Sequence, residues 1–204
     1  MKRSPSHLIR LCGFSLTELA VWMAVIGVLA SVCSLPLMGS LPRIRADGAI
    51  RGVGTLMEWA RLSAIAEGCR YVVAFSGEEN RVSVYRDLDS DGPESEERVR
   101  TLDLAREYPG IVFGASDGVY RTGSCALVHP KGLHIPYQRV AFLPSGTSDR
   151  CGSVYLIPEI DLPTRRDRMR ALSILLATGR VQLWWFNQDL PSPCSGQGHW
   201  DPIL

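Results

Sequence analysis

The sequence predicts an α+β fold in which one long N-terminal helix, transmembrane and then amphipathic, packs on a C-terminal antiparallel β-sheet domain. Three observations predict it. An almost unbroken apolar run fills residues 14–38, apolar residues recur three and four apart from Ile50 to Ala64, and short strand patterns separated by Gly, Pro, Asp and Ser occupy most of the remaining chain.

The chain has 204 residues, enough for one modest domain with an appendage. With 21% charged residues and a net charge of +1, bulk electrostatics names neither nucleic acid nor an acidic substrate as partner. The local balance is less even. Lys2, Arg3 and Arg10 precede the first apolar run, and removing them with a leader would leave the remainder slightly acidic.

From Phe14 to Met38 nearly every position is apolar or small, and a helix of that length can cross a hydrocarbon core. An ordinary secretory signal, cut near Val28-Leu29-Ala30, is the alternative. Glu18 opposes it: a carboxylate inside an apolar stretch is costly unless paired, neutralised or near the interface. A proline within the run, Pro36, is expected to kink the helix or free a carbonyl.

The amphipathic region covers residues 39–68. Ile50, Val53, Met57, Ala60 and Ala64 form its apolar stripe, while Arg51, Glu58, Arg61 and Glu67 mostly take other faces. Gly48, Gly52 and Gly54 are expected to weaken its start, and Gly68 to stop it. Core packing against a sheet is the reading of the stripe.

A β-rich region, 69–186, comes next. Strand patterns run from Tyr71 to Ser76, Val82 to Arg86, Val99 to Leu104, Ile111 to Phe113, Val140 to Leu143 and Ser153 to Ile157. The clearest pair, Ala171 to Leu176 and Val181 to Phe186, is joined through Ala177-Thr178-Gly179-Arg180 as an antiparallel hairpin. Residues 187–204, rich in Pro, Ser and Gly, are expected to form a surface tail or ordered loop that Cys194 tethers.

Of six cysteines, Cys12 and Cys33 lie in the leader and the apolar run; Cys69, Cys125, Cys151 and Cys194 are the disulfide candidates. Four cysteines can pair in three ways, and no C-x-x-C spacing suggests zinc or a redox pair.

The junction Gly13-Phe14-Ser15-Leu16-Thr17-Glu18-Leu19 resembles the cleavage motif of type IV prepilins and of the pseudopilins of type II secretion. In that family a basic leader, here 1–13, is cut after the glycine, the new N-terminal residue is methylated, and a glutamate stands fifth. The resemblance assigns those roles to Gly13, Phe14 and Glu18. Physically, a glycine lets a protease approach the backbone. A buried carboxylate such as Glu18 can neutralise the N-terminal amine of a neighbouring subunit.

Further along, Met57 to Gly68, Val140-Ala141-Phe142-Leu143-Pro144-Ser145-Gly146 and Thr178-Gly179-Arg180-Val181 resemble GspH/FimT-type minor pilins. The resemblance implies a minor pseudopilin at or near the tip of a type II secretion pseudopilus. It implies a single-pass inner-membrane anchor with a periplasmic domain, and as partners a prepilin peptidase, other major and minor pseudopilins and the inner-membrane assembly platform. It implies no enzyme. The alternative is a FimT-like minor pilin of a type IV pilus. Some of those are associated with DNA uptake through a basic motif beginning Gly-Arg. Here Gly179-Arg180 is followed by Val181-Gln182, so its second arginine is missing and nucleic acid is not the expected partner.

Asp87, Asp89 and Asp91, followed by Gly92, repeat the start of a calcium loop, but the twelfth position is Arg98 where a bidentate glutamate belongs. Glu94, Glu96 and Glu97 could supply oxygens differently. A solvated acidic turn without a cofactor is the expectation, with calcium as the alternative. Arg165, Arg166, Arg168 and Arg170 read as a solvated loop or strand end, and Trp184-Trp185-Phe186 as core. His129, His134 and His199 lack metal-ligand spacing, and no serine or cysteine sits in a nucleophile motif.

Overall fold

The computed structural model describes residues 15–89, 97–162, 164–192, 194 and 197–203, with the side chains of 32–38 outside that set. The chain divides into two units, Met1–Ser40 and Leu41–Leu204. One helix, α1 (Leu16–Glu67), contributes to both.

In the first unit α1 is exposed at every position from 15 to 31. Among the described residues no helix is long and apolar enough to cross a membrane. Phe14 and the side chains of 32–38, which belong to the expected span, lie outside them. The helix continues through Pro36 without interruption.

In the second unit the expected stripe is the buried face of α1: Ile50, Val53, Met57, Ala60 and Ala64 are fully buried, joined by Ala46, Ala49 and Leu56. The helix stops where the sequence places its end, at Gly68, whose φ of +66° few other residues adopt. Gly48 and Gly52 do not weaken the helix. A Cβ at Gly48 would lie 2.9 Å from the Tyr108 ring and one at Gly52 2.8 Å from its hydroxyl, so these positions are small because an aromatic ring crosses the helix there.

The strands are β1 (Arg70–Ser76), β2 (Arg81–Asp87), β3 (Arg98–Asp103), β4 (Ile111–Phe113), β5 (Leu133–His134), β6 (Arg139–Phe142), β7 (Gly152–Pro158), β8 (Arg170–Ile174), β9 (Val181–Pro191) and β10 (Gln197–Pro202). A short helix, α2 (Leu104–Glu107), begins at Leu104, where the third expected strand was to end, because the Asp103 side chain caps it. The strands form a four-stranded sheet, β3-β2-β1-β6, and a six-stranded sheet, β10-β9-β8-β7-β4, with β5 added to β7. All pairings are antiparallel.

Register explains the main core. Directly paired residues share a face, so Val73 with Val84 and Val140, Phe75 with Val82, and Tyr71 with Phe142 make one apolar surface. Val154 with Leu172 does the same in the larger sheet. Both surfaces and the α1 stripe merge into a single cluster. Each fully buried large side chain there contributes about 1.5–3 kcal/mol relative to exposure. A second cluster lies on the other face of the larger sheet, where Tyr155, Ile157, Met169, Ala171, Phe186 and Trp200 are covered by Ala115, Val119 and Val128 of the segment between β4 and β5.

The C-terminus corrects the expectation of a tail or loop. The strand begun at Val181 continues to Pro191, and β10 returns along it with a register shift between Gln197 and His199. Trp200 drives this return: it is buried, packs on Phe186 and Tyr155, and donates its indole N–H to the Tyr120 carbonyl at 2.8 Å.

Candidate functional site

The N-terminal segment carries the residues singled out for processing and assembly. Gly13 and Phe14 lie outside the described residues. Glu18 sits in the first turn of α1, where the positive end of the helix dipole favours a carboxylate. Leu16 is 86% exposed, and Leu19, Val21, Trp22, Met23, Val25, Ile26, Val28 and Leu29 are likewise open. Contiguous apolar surface of this extent is suited to contact with another apolar surface. Its chemistry is association, with one ionisable group set in an apolar surface.

The acidic turn is described only at its two ends. Oxygens of Asp87, Asp89 and Glu97 lie within 4.8 Å of one another, whereas Asp91, Glu94 and Glu96 lie outside the described residues. Glu97 accepts the Leu88 N–H at 3.2 Å and closes the turn. Asp87 is buried and ion-paired with Arg70 at 3.5 Å, and Arg70 also reaches Asp149 at 3.8 Å. Calcium takes about six to eight oxygens. Among the described residues three carboxylates converge here, and Arg70 supplies counter-charge to Asp87.

The arginine cluster is not a solvated basic patch. Arg170 is 2% exposed and pairs with Asp47 of α1, while donating to the Met169 carbonyl at 2.8 Å. Buried Arg168 pairs with buried Asp161 at 3.3 Å. Arg165 lies on the surface and pairs with Asp167 at 3.1 Å. Asp47 is remote in sequence from this run, and Asp161 reaches Arg168 only through the turn that follows β7, which is why the run looked solvated.

Arg61 joins two of the resembling segments. Its Nε donates to the Gly146 carbonyl at 2.9 Å and the Thr178 carbonyl at 3.1 Å, while its guanidinium pairs with Glu58. Motifs far apart in the chain therefore meet on one helix residue. At the end of α1, burial followed by a hydrogen bond with Glu67 pushes the Tyr71 hydroxyl up to about 12, and Arg86 pairs with Glu67 at 2.9 Å. Of the aromatic run, Phe186 is in the second core, half-buried Trp184 packs against it and donates to Ser173 Oγ at 2.8 Å, and Trp185 is half-buried outside both cores.

Of the four candidate cysteines, Cys125 and Cys194 are bonded to each other. Cys69 and Cys151 are free, correcting the wider expectation. Cys69 lies in the bend just before β1 of the smaller sheet and Cys151 just before β7 of the larger one, so different elements hold them. The disulfide ties the segment between β4 and β5 to the C-terminal strand pair. Sequence reasoning missed a linked histidine pair: the His129 N–H donates to His134 Nε2 at 2.6 Å, and the Lys131 N–H to His129 Nδ1 at 3.1 Å. Spacing alone carried no signal for it.

No family model matches the chain, and no curated protein does. Among solved structures it is similar to the type IV minor pilin FimU of Pseudomonas aeruginosa (strain PAO1), at 16% identity over 69% of this chain and 89% of that one, with a TM-score of 0.47. It is also similar to the minor pseudopilin EpsH of the Vibrio cholerae type II secretion system. One structure of that protein gives 13% identity over 69% of this chain and 97% of that one, with a TM-score of 0.45. Another gives 12% identity, 78% and 99% coverage and a TM-score of 0.46.

Proposed function

We propose that the chain is a minor pseudopilin, a structural subunit at or near the tip of a type II secretion pseudopilus. It is made as a precursor, cut after Gly13 by a prepilin peptidase, methylated on Phe14 and held in the bacterial inner membrane by the apolar half of α1. Its β-rich unit stands in the periplasm. Assembly draws the helix from lipid into a filament of major and minor pseudopilins on an inner-membrane platform.

One observation carries this reading: Glu18 stands five residues after Gly13, at the start of a largely apolar helical stretch that is exposed at every position from 16 to 31. An apolar helix bearing one carboxylate suits two environments in turn, lipid while the subunit waits and neighbouring helices once it is assembled. In the second, Glu18 meets the amine of an adjacent subunit.

Intact mass and N-terminal sequencing of the chain from membranes, with and without a co-expressed prepilin peptidase, test the reading. A peptidase-dependent start at methylated Phe14 is expected. A chain still beginning at Met1 despite active peptidase, or one starting near Ser31, overturns it.

The alternative, a FimT-like minor pilin of a type IV pilus, draws on Arg180, which is exposed beside Gly179 at the β8–β9 turn. Salt-sensitive retention of DNA by the chain would favour it.

A further inference from the structure

The segment between β4 and β5 covers the second core with little regular structure of its own, and specific ties hold it there. The Tyr155 hydroxyl accepts the Thr122 N–H at 3.0 Å. The Trp200 indole holds the Tyr120 carbonyl, and Cys125 is bonded to Cys194. The fourth tie is the 2.6 Å bond from the His129 N–H to His134 Nε2.

That last bond differs from the others in kind. An imidazole nitrogen accepts a hydrogen bond only while unprotonated, so the contact assigns the His134 proton to Nδ1. β5 fixes the ring through the pairing of His134 with Ser153, and the ring stands edge-on to Tyr155 with centroids 5.7 Å apart. The groups around it are cationic or neutral at neutral pH. Arg121 comes from the covering segment, His129 and Lys131 from the turn, and Ser153 and Tyr155 from β7. Burial, then Arg121, then His129 hold the His134 imidazole below its ordinary range.

We propose that His134 is a proton-operated latch: the neutral imidazole holds the His129 amide and with it the covering segment 120–131, and a proton on Nε2 releases them. Protonation turns an acceptor into a donor facing an N–H and sets a cation beside Arg121. The disulfide keeps the released segment tethered, so opening is local and reversible. Opening exposes Val128 of that segment and the second core beneath it. The domain would thereby change one surface in acid without unfolding. The latch is independent of the filament reading.

The sign follows from linkage. The unfolded histidine binds its proton at a higher pH than the folded one, so the closed form is fully favoured above about pH 6.5 and loses ground as pH falls below it. Hydrogen exchange on the full chain in detergent micelles, corrected for intrinsic rates and referenced to the β1–β2 hairpin, at about pH 7.5 and about pH 5, reads the latch. Protection over 120–131 is expected to fall about tenfold or more in acid.

His134→Gln, which can accept without titrating, should keep its protection at both values, and His134→Phe should lack it at both. Unchanged wild-type protection in acid overturns the proposal, as does a Gln variant that loses as much as wild type. If neither variant folds, the wild-type imidazole titration decides. A midpoint below about 6.5 that moves the His129 amide supports the latch, and a midpoint at or above it, or no movement of that amide, overturns it.

Discussion

The two ends of α1 are built from similar residues and have opposite fates. From Ala46 to Ala64 one face is buried in the main core, while from Leu16 to Leu29 apolar side chains of equal or larger size stand open. A helix gains most of its stability from covering an apolar face. The C-terminal end finds that cover in the chain's own sheets; in the proposed function the N-terminal end finds it in lipid or neighbouring subunits. Mutations at the first end should therefore act on stability, and mutations at the second on association.

The sharpest way to break this contrast is Glu18→Ala. Removing one partner of a buried charge pair costs about 3–5 kcal/mol, so incorporation into sheared filaments should fall at least about 100-fold, with processing and the unfolding midpoint of the globular unit unchanged. Normal incorporation, followed by immunoblotting of the filament fraction, would count against the role of Glu18.

Next in size is a matched pair of truncations. Met57→Ala empties a fully buried site and should cost about 2–5 kcal/mol in urea unfolding, whereas Val25→Ala, at a position 44% exposed, should leave the curve in place. Equal effects from the two would erase the distinction between the ends.

The smallest expected effect lies at the junction of α1 and β1. Tyr71 holds its proton up to about 12 against an ordinary value of 10.0, so it adds stability that is complete below about pH 10 and fades as pH rises towards about 12. The phenolate absorbance should rise late, and together with the loss of structure. An ordinary titration midpoint in the folded chain would show that Tyr71 is less enclosed than its burial implies.

Local periodicity made the α1 stripe and most strands legible in the sequence. Ile111 to Phe113 was placed to the residue, and most other strand ends moved by no more than two, but the strand from Val181 ran five residues past Phe186 to Pro191. The features that escaped depended on partners distant in the chain. Asp47 stands 123 residues before Arg170, so the ion pair that serves buried Arg170 was invisible to any window. Strand β10, Gln197 to Pro202, has no β-branched alternation and is held by Trp200. Gly48 and Gly52 looked like helix breakers because the ring that needs their space belongs to Tyr108. At the candidate site Glu18 was legible from its contrast with the apolar run, whereas the His129–His134 contact depends on a turn that composition does not describe.

Arg61 has a mechanical consequence. Asp47 and Arg61 anchor α1 to the strand-bearing part of the unit at two points about 21 Å apart along the helix axis, taking 1.5 Å per residue. A load applied along that axis reaches both anchors in shear, and the helix can slide only if the ion pair and the two carbonyl contacts yield together. Tension on such a subunit is resisted by bonds acting in parallel, so it would tolerate a brief pull better than the strength of any one of them suggests.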